Sequence, residues 1–240
     1  MNVSVIMATY NGEKYIREQV DSILKQLNSD DELIISDDGS SDNTINIVRE
    51  YKSDIIKIVS GPGKGVRDNF DFVLRLVENE IVMIADQDDI WCDDKVEIIK
   101  REFKENSFAK LIMHNAYEYH ESEPLQESRK TIFLARKAKH GLVRNILYST
   151  YYGCCIALRK EYMEQLLPFP VEILYDQYLG NCAELDKCSL FVNKPLIYHR
   201  EHGDNWSHKR KLLERIQIRM KLMNGVFIYM KSKLRKRCVK

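Results

Sequence analysis

The chain predicts an α/β fold, with a mainly parallel central sheet and helices on both faces. Three observations carry that prediction. Strand-like and helix-like stretches alternate four times within the first 105 residues. The strands are unbroken apolar runs such as Ile81–Ala85, the pattern of a strand buried on both faces. A polar loop follows each strand, where such sheets bind their ligands.

Val3–Thr9 is a β-rich run, and Ile16, Val20, Ile23, Leu24 and Leu27 then recur at helical spacing. Glu32–Ser36 is a second strand, and the loop Asp37-Asp38-Gly39-Ser40-Ser41-Asp42 supplies helix-capping residue types ahead of Ile45, Val48 and Tyr51. Ile55–Val59 and Ile81–Ala85 are the third and fourth strands. Phe70, Val73, Leu74 and Val77 mark the helix between them, and Val96, Ile99 and Phe103 the helix after. A β-α-β-α-β-α-β order requires right-handed crossovers.

Composition narrows the class further. The 240 residues carry a net charge of +1, which conceals an asymmetry. Residues 209–240 hold 12 Lys/Arg against Glu214 alone, so a mildly acidic body carries a basic tail. The six cysteines lack zinc-type paired spacing and read as reduced thiols. No secretory signal precedes Val3, and no apolar run approaches the roughly 20 residues of a spanning helix. A cytoplasmic protein is expected, with the basic tail on the inner face of the cell membrane.

Four loops should converge on one crevice: Thr9-Tyr10-Asn11-Gly12, Asp37-Asp38-Gly39, Gly61-Pro62-Gly63-Lys64-Gly65 and Asp86-Gln87-Asp88-Asp89. Clustered carboxylates repel unless water or a cation offsets them. Hard cations such as Mg²⁺ or Mn²⁺ take oxygen ligands and need few carboxylates when phosphates supply the rest. Asp38 reads as a ligand to a base or ribose, and Asp37 as a structural cap. The glycine loop, with Lys64 and Arg67, would let backbone approach a phosphate. It is no P-loop, since it follows the third strand and lacks the Lys-Ser/Thr ending.

Met7-Ala8-Thr9-Tyr10-Asn11-Gly12, Ser36–Thr44 and Asp86-Gln87-Asp88-Asp89-Ile90-Trp91 together resemble the family 2 glycosyltransferases, especially bacterial rhamnosyl- and hexosyltransferases of surface polysaccharides. The resemblance implies a GT-A fold, a single Rossmann-like nucleotide-binding half merged with an acceptor-binding half. It implies a nucleotide-diphosphate sugar donor and a Mn²⁺ or Mg²⁺ ion. Tyr10 and Asp38 match positions that hold the base, with Thr9 and Asn11 beside them. Arg67 matches a basic position that contacts the nucleotide. Asp86, with Gln87, faces the ribose or sugar, and Asp88 binds the metal; Asp89 caps the next helix or orders the motif.

The second half is less periodic. Leu111–Met113 is a short strand that His114–Tyr119 extends, and Glu121–Lys139 reads as a mobile acceptor-side segment. Tyr151–Leu158 reads as a small-residue strand and resembles the family's Gly-Cys segment beneath the sugar-binding floor. There Gly153 would allow either a ligand or a paired strand to approach closely. Asp176, flanked by Tyr175 and Tyr178, suits a partly shielded general base or a helix N-cap; the resemblance makes it the catalytic base, with Tyr175 where Glu or His usually stands. Tyr198–Asn205 looks like the family's closing Tyr-Arg-x-His-Gly-x-Asn segment. That makes His202 a metal ligand and leaves His199 in place of an arginine.

The expected organisation is therefore a 1–205 glycosyltransferase unit, with a 1–105 nucleotide-sugar half and a 106–205 acceptor half, followed by a basic amphipathic tail at 206–240. The expected reaction is metal-dependent transfer of a sugar from a UDP- or dTDP-sugar to an acceptor hydroxyl, on a glycan or lipid-linked glycan, with inversion. The tail suits an anionic membrane surface better than nucleic acid. A non-catalytic nucleotide-sugar- or glycan-binding protein and a sugar nucleotidyltransferase are the alternatives, although the first loop is not the basic triphosphate loop the latter needs.

Overall fold

The computed structural model describes residues 1–120, 130–170, 173–201 and 212–238. Strands β1 (Val3–Thr9), β2 (Glu32–Asp37), β3 (Ile56–Ser60) and β4 (Ile81–Ala85) alternate with helices α1 (Ile16–Leu24), α2 (Thr44–Arg49) and α3 (Val66–Val73). Then come β5 (Ile90–Trp91), α4 (Lys95–Glu105), β6 (Leu111–His120), α5 (Ile132–Arg136), α6 (Leu142–Leu147), β7 (Ile156–Arg159), α7 (Lys160–Met163), α8 (Tyr175–Leu185), β8 (Ser189–Glu201) and α9 (Leu212–Cys238).

One mixed sheet runs β3-β2-β1-β4-β7-β6-β8-β5. Its first four strands are parallel, and the register sets Thr9 beside Asp37, Asp37 beside Ser60 and Met7 beside Ala85. The four loops predicted to converge therefore leave the sheet in a row. β1 and β4 have almost no exposed side chain, as runs covered on both faces should.

Past β4 the sheet changes character. β7 runs antiparallel to both β4 and β6, whereas β6 and β8 pair in parallel. β5 closes the far edge against β8, only five residues after β4 ends. Four strand spacings are about 19 Å, while five extended residues reach at most ~18 Å, so the edge must curl back. Register shifts at His114/Asn115 and Asn115/Tyr117 supply that bend. The acid loop is thereby strung between the centre of the sheet and its returning edge.

Three expectations need adjustment. Tyr151–Leu158 is only half a strand: Gly153–Cys155 form a tight turn and β7 begins at Ile156. Asp176 is not a helix cap, because α8 begins at Tyr175 with Leu174 at the cap position. The Glu121–Lys139 stretch contains a short helix, α5; its residues 121–129 lie outside the described residues. Among the described residues, no helix is long and apolar enough to cross a membrane.

Candidate functional site

The crevice is built from the strand ends upward. Asn11 takes a left-handed backbone conformation (φ 48°), which an Asn tolerates because its short side chain bonds locally. Its Oδ1 accepts from Ser41 N (2.8 Å), while its own N–H donates to Ser40 Oγ (2.9 Å). Thr44 Oγ1 accepts from Gly12 N (2.7 Å), so the first two loops are laced together. Tyr10 stands above them, 59% exposed. Thr9 is buried, and its Oγ1 donates to Asp37 Oδ1 (3.2 Å). Asp37 also receives Gly39 N, Ser40 N and Ser40 Oγ, the structural role expected of it.

Asp38 is engaged on both carboxylate oxygens, by Gly63 N and Gly65 N at 2.7 Å each. It holds the glycine loop, whose Gly63 and Gly65 have positive φ, and in this state it organises the pocket wall. Lys64 is exposed at the tip of that loop. Arg67 is turned toward the second half of the chain: its Nη1 donates to Phe169 O and Pro170 O (3.4 and 3.3 Å), and it pairs with Asp68. Gln87 spans the crevice floor, accepting from Tyr10 N (3.0 Å) and donating to Tyr10 O (3.1 Å). Gly12 is required beneath it, since a Cβ there would lie 2.4 Å from Gln87 Oε1.

The acid loop concentrates the charge. Burial, and then the nearby Asp89 and Asp88 charges, push the Asp86 carboxyl up to about 8; Asp176 acts in the same direction. Acids from the end of β4 and from the first turn of α8 thus lie within electrostatic reach of one another. Asp176 accepts from Gln177 N (2.7 Å) within that first turn, where the helix dipole favours a negative charge. Asp86 and Asp88 are partly exposed oxygen donors among crowded acids, and such a set fits a hard divalent cation, whose binding would displace the proton that crowding leaves on Asp86.

Asp89 takes a different part. It is fully buried, and its Oδ1 lies 2.9 Å from His199 Nδ1 and accepts from Arg200 N (3.1 Å). Burial alone would raise its pKa, yet the His199 charge and these hydrogen bonds hold it below the ordinary range. Burial would likewise lower His199, but Asp89 pushes it up to about 10, so the pair is ionised at neutral pH. Cys154 Sγ is 3.8 Å from His199 Nδ1, and Asp89, Cys154 and His199 lie close enough to hold a metal. The imidazolium already supplies the positive charge that Asp89 needs. A hydrogen bond with Cys155, then burial and the acids nearby, raise the Cys154 thiol well above the ordinary range, so it is no nucleophile.

Sequence reasoning missed the residues that hold the acid loop from behind. Arg200 Nε donates to Asp88 O (2.8 Å), Nη2 pairs with Glu18 (2.5 Å), and the guanidinium lies over Tyr15 and Tyr119. Lys95 is buried over the Trp91 ring (3.8 Å) and donates to Cys154 O; burial pulls its pKa down to about 8. Only the Trp91–Lys95 spacing, one helical turn, hinted at this. His199 and Arg200 thus grip the acid loop. The expected metal ligand His202 lies outside the described residues.

Two tyrosine–glycine contacts lock the acceptor side. The Tyr175 hydroxyl sits where a Cβ on Gly153 would be, 2.0 Å away, and the Tyr151 ring does the same at Gly180 (2.1 Å). The room at Gly153 is therefore taken by Tyr175, and neither a ligand nor a strand partner is needed to explain that glycine. Tyr151 Oη donates to Glu184 and shares a hydrogen bond with Ser189, both at 2.7 Å.

Comparison with known proteins places these features. Residues 4–167 match the family described as Glycosyl transferase family 2. The dTDP-rhamnosyl transferase RfbG of Shigella flexneri is 30% identical over 225 residues, covering 83% of this chain and 72% of that protein. Among solved structures, S. aureus TarS 1–349 in complex with UDP-GlcNAc superposes with a TM-score of 0.70 at 22% identity, over 95% of this chain and 66% of that one. The Pyrobaculum calidifontis mannosyltransferase PcManGT, in complex with GDP-Man and Mn²⁺, gives 0.63 at 16% identity, over 96% and 74%.

Proposed function

This chain belongs to glycosyl transferase family 2 and has the GT-A fold, which makes it a nucleotide-sugar glycosyltransferase; from that premise we propose that it moves a sugar from a UDP- or dTDP-sugar to an acceptor hydroxyl with inversion, in surface polysaccharide synthesis. One observation carries the reading. The Asp86 carboxyl, at the carboxyl end of β4, feels the charges both of Asp88 in its own loop and of Asp176 from the distant first turn of α8.

Each group then has a role. Tyr10 offers an exposed ring on which a base can stack, beside the backbone that Gln87 orders. Asp38 and Lys64 shape the glycine loop near the nucleotide, and Arg67 fixes that wall to the 168–170 segment. Asp88, with Asp86 beside it, would hold a Mn²⁺ or Mg²⁺ ion. When bound, that ion supplies charge compensation for the departing diphosphate. Asp176, at the first turn of α8, takes the acceptor proton as the new bond forms. His202 follows closely after β8 and is proposed as a further ligand from the family pattern.

The test is sugar transfer from UDP- and dTDP-sugars to glycan acceptors, with and without EDTA. Asp176→Asn should lose about 10²-fold or more in turnover with donor binding kept. Full turnover in that variant would remove Asp176 as the base, and indifference to EDTA would remove the metal.

A further inference from the structure

We propose that α9 pairs with the α9 of a second copy of this chain, through a heptad seam turned away from the body. One side of α9 is committed to the fold. Leu222, Gly225, Val226 and Tyr229 are buried against α6 and α8, and Gly225 permits close contact, since a Cβ there would lie 2.6 Å from Ile173. Tyr229 Oη donates to Asp186 Oδ2, Lys233 pairs with the same carboxylate, and Arg219 donates to Gln177 Oε1.

The other side carries Leu213, Ile216, Met220, Met223, Phe227, Met230 and Leu234. Their spacing alternates three and four without a break over three heptads, the pattern of the a and d positions of a coiled coil. Every one is exposed, from 37% at Met230 to 74% at Leu213. Among the described exposed large apolar side chains of α9, Ile228 alone lies off this line. At 100° per residue the stripe spans about 100° and is centred about 135° around the helix from the buried side. A partner helix can therefore lie on it without meeting the body.

The exposed area favours a second copy. The exposed parts of the seven residues amount to nearly four whole large side chains, on the order of 800 Å² per copy. Two copies would bury about 1,600 Å², the size of a stable specific interface. Gln217 and Asn224, neutral amides, border the first two heptads of the seam on its open side; in the third, Lys231 takes that place and lies over the Phe227 ring (4.4 Å), so like charges approach only toward the end of the helix.

Light scattering and sedimentation of the full 240-residue chain at tens of micromolar, without detergent, test the pairing. The mass should be twice 28.3 kDa. Met220→Glu combined with Phe227→Glu should give the monomer, raising the dimer dissociation constant at least ~100-fold. Its melting temperature at low concentration and its nucleotide binding should be unchanged, because both side chains are exposed in the single chain. A wild type that stays monomeric, or a double variant that stays dimeric, overturns the proposal. So does a monomeric wild type that floats with vesicles containing phosphatidylglycerol, since a bilayer would then be what covers the seam.

Discussion

Replacing Gly153 with alanine tests the packing that sets the position of Asp176. The new Cβ would stand 2.0 Å from the Tyr175 hydroxyl and 2.8 Å from Cζ, against about 3.4 Å for ordinary contact. Tyr175 must then move by about 1.4 Å. It cannot retreat freely, because its ring packs on Phe70 (centroids 4.5 Å apart) and Phe169 (5.9 Å). Overpacking of this kind costs about 1–3 kcal/mol. Tyr175 opens α8 and Asp176 is the next residue, so the displacement passes to the proposed base, where 1 Å of misplacement costs on the order of 10²-fold in rate. Urea unfolding and turnover are the assays. Adding Tyr175→Phe removes the hydroxyl and leaves the Cζ contact, so the double variant should recover part of both losses, as a coupled pair does. If Gly153→Ala unfolds and turns over like the wild type, or Tyr175→Phe brings no relief, the reasoning fails.

Two further perturbations concern charge. Asp86 keeps its proton up to about pH 8 when folded and loses it near 4 when unfolded, so its contribution to stability falls as pH climbs between those values. Metal-free Asp86→Asn should therefore be more stable than wild type at pH 8, by about 2 kcal/mol, with the difference vanishing near pH 4; an equal stability at pH 8 would contradict the crowding. His199 has its folded pKa raised to about 10, so its pairing with Asp89 stabilises fully below about 6.5 and is lost as pH rises through 10. Asp89→Asn should cost about 3 kcal/mol at pH 6 by stranding that charge, and much less at pH 10. Thermal melts across that range would show it, and a penalty independent of pH would speak against the ion pair.

The nucleotide half was legible because its signals are local. A five-residue apolar run such as Ile81–Ala85, bounded by polar residues, reads as a covered strand, and the loop after it then emerges beside its neighbours' loops. What stayed hidden depends on residues far apart in the chain. Asp89 looked like a helix cap because its partner His199 is 110 positions away. Gly153 looked like room for a ligand until Tyr175 was seen to fill that space. Asp38 and Arg67 looked like ligand contacts, yet both also bind the protein, one to the glycine loop and the other to the 169–170 backbone. The tail read as an appendage because basic residues scattered around the helix blur the 3.6-residue period. Its two apolar faces separate only once Leu222, Val226 and Tyr229 are known to be buried.

The central claim is that the acids leaving β4 hold a cation that in turn holds a diphosphate. Calorimetric titration of UDP and dTDP into the wild type and Asp88→Ala, with Mn²⁺ or with EDTA, addresses it most directly. Binding should need Mn²⁺ in the wild type and weaken at least ~10-fold in the variant. Equal affinity in all four conditions would contradict the account.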